Sequence, residues 1–114
     1  MADCIFCKIA AGDIPAEVVY EDDDVVAFRD INPQAPTHVQ VIPRRHIERV
    51  TDLRPADDAL MAKMMHAALT VVESEGLMPA GFRLVWNCGP NAGQAVLHIH
   101  LHVLGGRALG WPPG

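Results

Sequence analysis

The stretch Leu97-His98-Ile99-His100-Leu101-His102-Val103-Leu104 places half of the chain's six histidines in strict alternation with apolar residues. A period of two is the pattern of a half-buried β-strand, whose successive side chains point to opposite faces. The spacing predicts that Ile99, Leu101 and Val103 enter a core. His98, His100 and His102 then share the other face, with neighbouring Cα atoms roughly 6.5–7 Å apart. Three imidazoles in a row make a poor outer face for an ordinary strand, because three cations so close repel below neutral pH. Imidazole has an unperturbed pKa of about 6.5 and serves as nucleophile, acid, base or metal ligand near neutrality. Two chemistries fit the row: a metal site, or a phosphoryl site in which one histidine attacks and its neighbours manage protons. Strand geometry favours the second. The outer two histidines of the three lie roughly 13 Å apart along a strand, too far for zinc–nitrogen bonds of about 2.0–2.1 Å to gather all three.

A chain of 114 residues, half of them hydrophobic, is long enough for one domain spanning 1–114 and one core. No apolar run approaches the roughly 18 residues of a membrane span, and the amino terminus lacks the basic-then-apolar layout of a secretory signal. The expected address is cytoplasmic, with no membrane partner. A formal charge of −5 argues against a nucleic-acid partner, which would require many phosphates to be neutralised. One phosphate is a different matter, since neutral N–H groups and main-chain amides hold it without a basic patch. The three cysteines, Cys4, Cys7 and Cys88, are an odd number with no secretion signal, so no disulfide framework is expected. Cys4-x-x-Cys7 has metal-ligand or redox spacing but is half a site on its own, and two reduced thiols in a short turn fit it as well.

Along the chain, Cys4 to Ala11 reads as a brief helix stopped by Gly12. Val18–Glu21 and Val25–Arg29 read as a hairpin whose Asp22-Asp23-Asp24 turn is a solvated tip. A proline-containing loop leads into Thr37–Ile42, apolar enough for a central strand, with the polar His38 at its start. From about Pro55 to Glu75 the pattern predicts one long helix stopped by Gly76. Its apolar face, including Met61, Met64 and Met65, is wider than one sheet contact needs, so part of it is expected to meet a second subunit. Phe82–Asn87 reads as a strand, and a glycine-rich turn feeds the histidine strand. Strands, one long helix, then two more strands give an α+β class with an antiparallel sheet.

His98 to Leu104 has the form His-φ-His-φ-His-φ-φ, with φ apolar, and resembles the signature of the histidine triad family of nucleotide hydrolases and transferases. Ile5-Phe6-Cys7-Lys8-Ile9, Ile14-Pro15-Ala16, Phe28-Arg29-Asp30-Ile31, Pro33-Gln34-Ala35-Pro36-Thr37-His38, Gly93-Gln94, Gly105-Gly106-Arg107 and Trp111-Pro112-Pro113-Gly114 are similar, in the same order, to the Hint branch of that family. The resemblance implies a five-stranded antiparallel sheet with one short and one long helix, paired into a homodimer. It also implies a purine nucleoside phosphoramidase or nucleotidyl hydrolase that works on nucleoside monophosphates joined to amine or acyl groups. His100 would be the nucleophile, forming a nucleotidyl-histidine, with its other ring nitrogen held by the backbone carbonyl of the third histidine. His38, His98 and His102 are the candidate acids for the leaving group. By the same resemblance Asp30 binds ribose hydroxyls, Ile5, Phe6, Ile9, Phe28 and Ile31 wall the purine, and Asn87, Gly93, Gln94 and Ala95 border the phosphate. No cofactor is implied for catalysis.

This sequence departs from the Hint pattern in two places. Ala95 stands where relatives commonly carry a serine that donates to the phosphate or leaving group, and Gly110 precedes Trp111 where a histidine is frequent. The loss at Ala95 keeps a second reading open, a nucleotide-binding regulatory dimer with weak catalysis. The Cys4-x-x-Cys7 pair is similar to that of bacterial relatives holding structural zinc, which implies His46 and His98 as the remaining ligands.

Overall fold

A computed structural model describes residues 3–114. The chain forms a short helix α1 (Ile5–Ala11), strands β1 (Val18–Glu21), β2 (Val25–Arg29) and β3 (Thr37–Pro43), a long helix α2 (Asp58–Ser74), then β4 (Phe82–Trp86) and β5 (Leu101–Gly105). The strands make one antiparallel sheet in the order β1-β2-β3-β5-β4. β3 is the middle strand and every residue in it is buried, as its β-branched, apolar composition requires. No helix among the described residues is long and apolar enough to cross a membrane.

Alternation along the strands divides the molecule into two layers. Val39 and Val41 of β3, Leu101 and Val103 of β5, and Ile99 just before it pack against Met64, Ala67, Ala68, Val71 and Val72 of α2. On the opposite face Val26, Phe28 and Ile42 meet Phe6 of α1. A bidentate ion pair from Arg29 to Glu75, at 2.8 and 3.1 Å, ties β2 to the residue that ends α2. Met65 and Leu69 stay 42% and 48% exposed on the outer side of α2. That is the surplus apolar width expected from the sequence.

Several boundaries differ from the sequence reading, each for a local reason. The first turn of the long helix, Pro55–Asp57, is a 3₁₀ turn, and α-helix begins at Asp58. The acidic hairpin tip is not merely solvated. Asp22 accepts from the Asp24 and Val25 amides and from the Tyr20 hydroxyl, while Asp24 pairs with Lys63 of α2. The histidine strand is shorter than its alternation: its pairing with β3 starts at Leu101, opposite Val41, and its pairing with β4 starts at Leu101, opposite Trp86. Beyond that point the Ile99 amide turns to the Ile47 carbonyl at 2.7 Å. Only His102 therefore lies within the β5 ladder, while His98 and His100 occupy its approach and keep the same alternation of faces.

Candidate functional site

His98 has no exposed surface, so each of its polar atoms needs a partner. Its Nε2–H donates to the Pro43 carbonyl at 2.8 Å, which leaves the lone pair on Nδ1, 3.3 Å from Cys4 Sγ and 3.6 Å from Cys7 Sγ. Its own carbonyl accepts from His100 Nδ1 at 2.8 Å. A carbonyl only accepts, so the His100 proton is assigned to Nδ1 and the free lone pair to Nε2. The expected holder of this ring was the carbonyl of the third histidine. The structure assigns the role to the first, because an extended chain puts the carbonyl two residues back within reach of a side chain on the same face. His100 is buried with its ring edge against Phe6, centroids 5.1 Å apart.

Opposite it, the Gln34 amide donates to His38 Nδ1 at 3.1 Å. His38 must then carry its proton on Nε2, which lies 2.8 Å from His102 Nδ1. His102 thus accepts on Nδ1, and its Nε2–H is the donor that remains. The ring centroids of His100 and His102 are 5.0 Å apart. Burial, and then the neighbouring His100 and His38, push the His102 pKa down to about 4. Burial lowers that of His38 too, against the opposing pull of Asp30, whose Oδ2 is 3.4 Å away. A lone-pair nitrogen on one ring and an N–H nitrogen on the next give the pair the parts of a nucleophile and a hydrogen-bond donor to phosphate or leaving group.

Next to the histidines, Asp30 Oδ1 accepts from the Asn32 amide at 2.8 Å and Oδ2 from Gln40 Nε2 at 2.7 Å. An apolar cavity of about 160 Å³ opens beside them, lined by Ile5, Phe6, Ile9, Phe28 and Ile31, five of the residues named from sequence. Its lining also includes Ile14, Pro15, Ala16, Arg29 and Gln40, which sequence reasoning did not assign to a pocket. The one available signal was Gln40, a lone polar residue in the apolar run Val39–Ile42.

The loop residues are placed less uniformly. Asn87 follows the last residue of β4, one step past the Trp86–Leu101 pair and so on a level with His100. Gly93 takes a left-handed φ of 79° in the turn after Pro90–Ala92. The amide of Gln94 is fully engaged within the protein, donating to the Glu48 and Val96 carbonyls at 2.7 and 3.1 Å and accepting from the Gly89 amide at 3.0 Å. Gln94 therefore pins its loop with its side chain. Ala95 borders a separate groove with Cys4, Ile5 and His46.

Cys4, Cys7, His46 and His98 converge from the start of α1, the segment after β3 and the approach to β5. One donor atom of each lies within 4.8 Å of all the others. Cys7 Sγ is 3.3 Å from His46 Nδ1. Tetrahedral zinc with bonds of about 2.0–2.3 Å spaces its ligands roughly 3.3–3.8 Å apart. The Nε2–H bond from His98 to Pro43 is the outer-shell bond that metal-ligating imidazoles make. Burial, then the Cys4 thiol beside it, raises the Cys7 pKa, a cost that a bound cation reverses. The donor set suits zinc in number and softness.

The neutral state of His38 and His102 has a consequence for stability. In the unfolded chain both would protonate near pH 6.5, a value typical of exposed histidine. Their folded pKa values are lower, that of His102 about 4, so the unfolded chain binds more protons across the interval. The stability they contribute is complete above about pH 6.5 and is lost as pH falls towards 4. The melting temperature is expected to drop between pH 6.5 and 5, before carboxylates titrate, and to drop less steeply in a His38→Asn, His102→Asn double variant. Equal slopes for the two proteins in pH-dependent calorimetry would contradict this.

A model of the HIT domain matches residues 11–109. An uncharacterised HIT-like protein of Synechocystis sp. is 47% identical over 112 residues, which cover 98% of this chain and 97% of that protein. The purine nucleoside phosphoramidase of Escherichia coli K12 is 45% identical over 108 residues, covering 95% of this chain and 91% of that one. Among solved structures, a HIT family hydrolase from Legionella pneumophila Philadelphia 1 aligns with a TM-score of 0.96 at 52% identity, covering 98% of this chain and 100% of the other. A histidine triad protein from Clostridium difficile aligns with a TM-score of 0.93 at 41% identity, covering 96% of each chain. With this fold, this histidine arrangement and these relatives, the chain belongs to the HIT, or histidine triad, family.

Proposed function

We propose that this protein hydrolyses purine nucleoside phosphoramidates and related nucleotidyl conjugates through a covalent intermediate on His100. The observation that carries the reading is the opposed polarity of two adjacent rings: the Nδ1–H of His100 is held by the His98 carbonyl, and the Nδ1 of His102 faces the N–H of His38. His100 Nε2 attacks the α-phosphorus, forming a P–N bond while the bond from phosphorus to the leaving nitrogen breaks. The departing amine takes its proton from solvent while the His102 Nε2–H hydrogen-bonds it, and the His38 Nε2–H holds His102 in that tautomer. Water then cleaves the P–N bond to release the nucleoside monophosphate. The name of the Escherichia coli relative supports the phosphoramidate as substrate class. Asp30 would take the ribose and the neighbouring apolar cavity the purine. Ala95 supplies no side-chain donor, so phosphate contacts from that loop come from main-chain amides.

Zinc at Cys4, Cys7, His46 and His98 is part of this reading, as a structural ion that would fix α1 and the His98 ring without touching substrate. A homodimer is part of it as well. β4 is an edge strand, half-buried along its whole length, and Met65 and Leu69 of α2 add an uncovered apolar surface.

Brief exposure to adenosine 5′-phosphoramidate followed by acid-free quenching and intact mass measurement is expected to trap an added adenylyl group on the native protein. His100→Gly should lose that adduct and about 10⁴-fold or more in turnover. Unchanged turnover in the variant would overturn the nucleophile, and binding without any adduct or turnover in the native protein would favour a regulatory nucleotide binder. Sedimentation equilibrium with elemental analysis of the same sample is expected to give two chains per particle and one zinc per chain, with the metal lost in a Cys4→Ser, Cys7→Ser variant. A metal-free monomer purified with zinc supplied would contradict both statements.

A further inference from the structure

Gln40 is the residue whose chemistry the reading above leaves unused. Along β3 the side chains of Val39 and Val41 enter the core beneath α2. Those of His38, Gln40 and Ile42 take the opposite face. Gln40 stands opposite Phe28 on β2 and His102 on β5, at the centre of the substrate face. It is only 9% exposed, and it lines the apolar cavity.

The two ends of its amide fare differently. Nε2 donates to Asp30 Oδ2 at 2.7 Å, and this fixes the amide's orientation, since the reverse would set two oxygens against each other at that distance. Oε1 is buried and has no hydrogen-bond partner, which holds for no other buried side-chain nitrogen or oxygen among the described residues. A buried acceptor without a donor costs stability, and a leucine of similar size would avoid the cost. The neighbouring carboxylate is under-used too. Asp30 accepts from the Asn32 amide and from Gln40, which leaves lone pairs on its oxygens.

An amide on the wall of an apolar cavity, hydrogen-bonded through its nitrogen to a carboxylate, forms with it a pair of adjacent acceptors. Their complement is a pair of adjacent O–H donors on a rigid frame. We propose that Gln40 is a specificity-determining residue whose Oε1 accepts a hydrogen bond from one hydroxyl of the ribose cis-diol while Asp30 accepts from the other, so that the site selects ribonucleotides over deoxyribonucleotides. The inference rests on the nucleotide reading of this site and names the sugar that the site demands. A site built to hydrogen-bond a hydroxyl rejects the analogue lacking it, because its own polar group is then left unpaired.

The test is calorimetric titration of AMP, 2′-deoxy-AMP and 3′-deoxy-AMP into the native protein and into Gln40→Leu and Gln40→Met, with thermal melts to identify folded variants. The native protein should bind AMP about tenfold or more tightly than each deoxy analogue, the equivalent of one hydrogen bond. In either folded variant the preference over one of the two analogues should fall below about threefold, with affinity for that analogue itself nearly unchanged. Native selectivity retained in the variants would overturn the proposal, as would an equal loss for all three ligands, which marks a packing role. AMP binding persists in those cases, so the nucleotide reading survives them. No binding of any of the three to the native protein overturns that reading and this inference together.

Discussion

The hydrogen bond from His100 Nδ1 to the His98 carbonyl is the contact on which the rest of the site depends. It makes the imidazole directional, with its proton on Nδ1 and its lone pair on Nε2. A backbone carbonyl two residues away is a good anchor only if its own residue is immobile. His98 is held at both ring nitrogens, by the Pro43 carbonyl on one side and the Cys4 and Cys7 thiols on the other, with no exposed surface. The cysteine and histidine cluster and the His100 ring are therefore joined through one residue: the His98 ring belongs to the first and its carbonyl holds the second. A metal ion in that cluster would stiffen the support of His100 without standing in the path of the reaction.

The second half of the site runs on the same logic with the opposite sign. The Gln34 amide donates a hydrogen bond to His38, which donates one to His102, so the last ring presents N–H where His100 presents a lone pair. Burial keeps His102 neutral well below physiological pH, and a neutral ring whose remaining nitrogen carries a proton needs no compensating carboxylate of its own. This explains how a chain of net charge −5 could address a phosphate. The anion would meet N–H dipoles in a sheltered place and not a basic patch.

Much of this was legible in the sequence because one period governs it. The alternation of residues 98 to 103 assigned three imidazoles to one face and Ile99, Leu101 and Val103 to the core, and the α+β class followed from the order of elements. What stayed hidden was set by distant partners. The ladder stops at Leu101 because β4 ends at Trp86 and the Ile99 amide turns to Ile47 while β3 runs on beside β2, which nothing in the histidine stretch announces. Cys4-x-x-Cys7 was half a metal site because His46 and His98 lie far along the chain, and family resemblance was needed to join them. That the Gln94 side chain pins its own loop was hidden because its three hydrogen bonds to the main chain exist only in the folded loop. The role of Gln40 has no sequence signal beyond a polar side chain in an apolar strand, since only tertiary structure sets one end of its amide on Asp30 and leaves the other bare.

The proton positions on these rings are open to direct measurement. Long-range nitrogen–proton correlation spectra of ¹⁵N-histidine-labelled protein at neutral pH report which ring nitrogen of each histidine carries hydrogen. The structure predicts Nδ1–H for His100 and Nε2–H for His38 and His102. A spectrum in which His100 carries its proton on Nε2 would leave no lone pair facing the substrate and would contradict the account at its foundation.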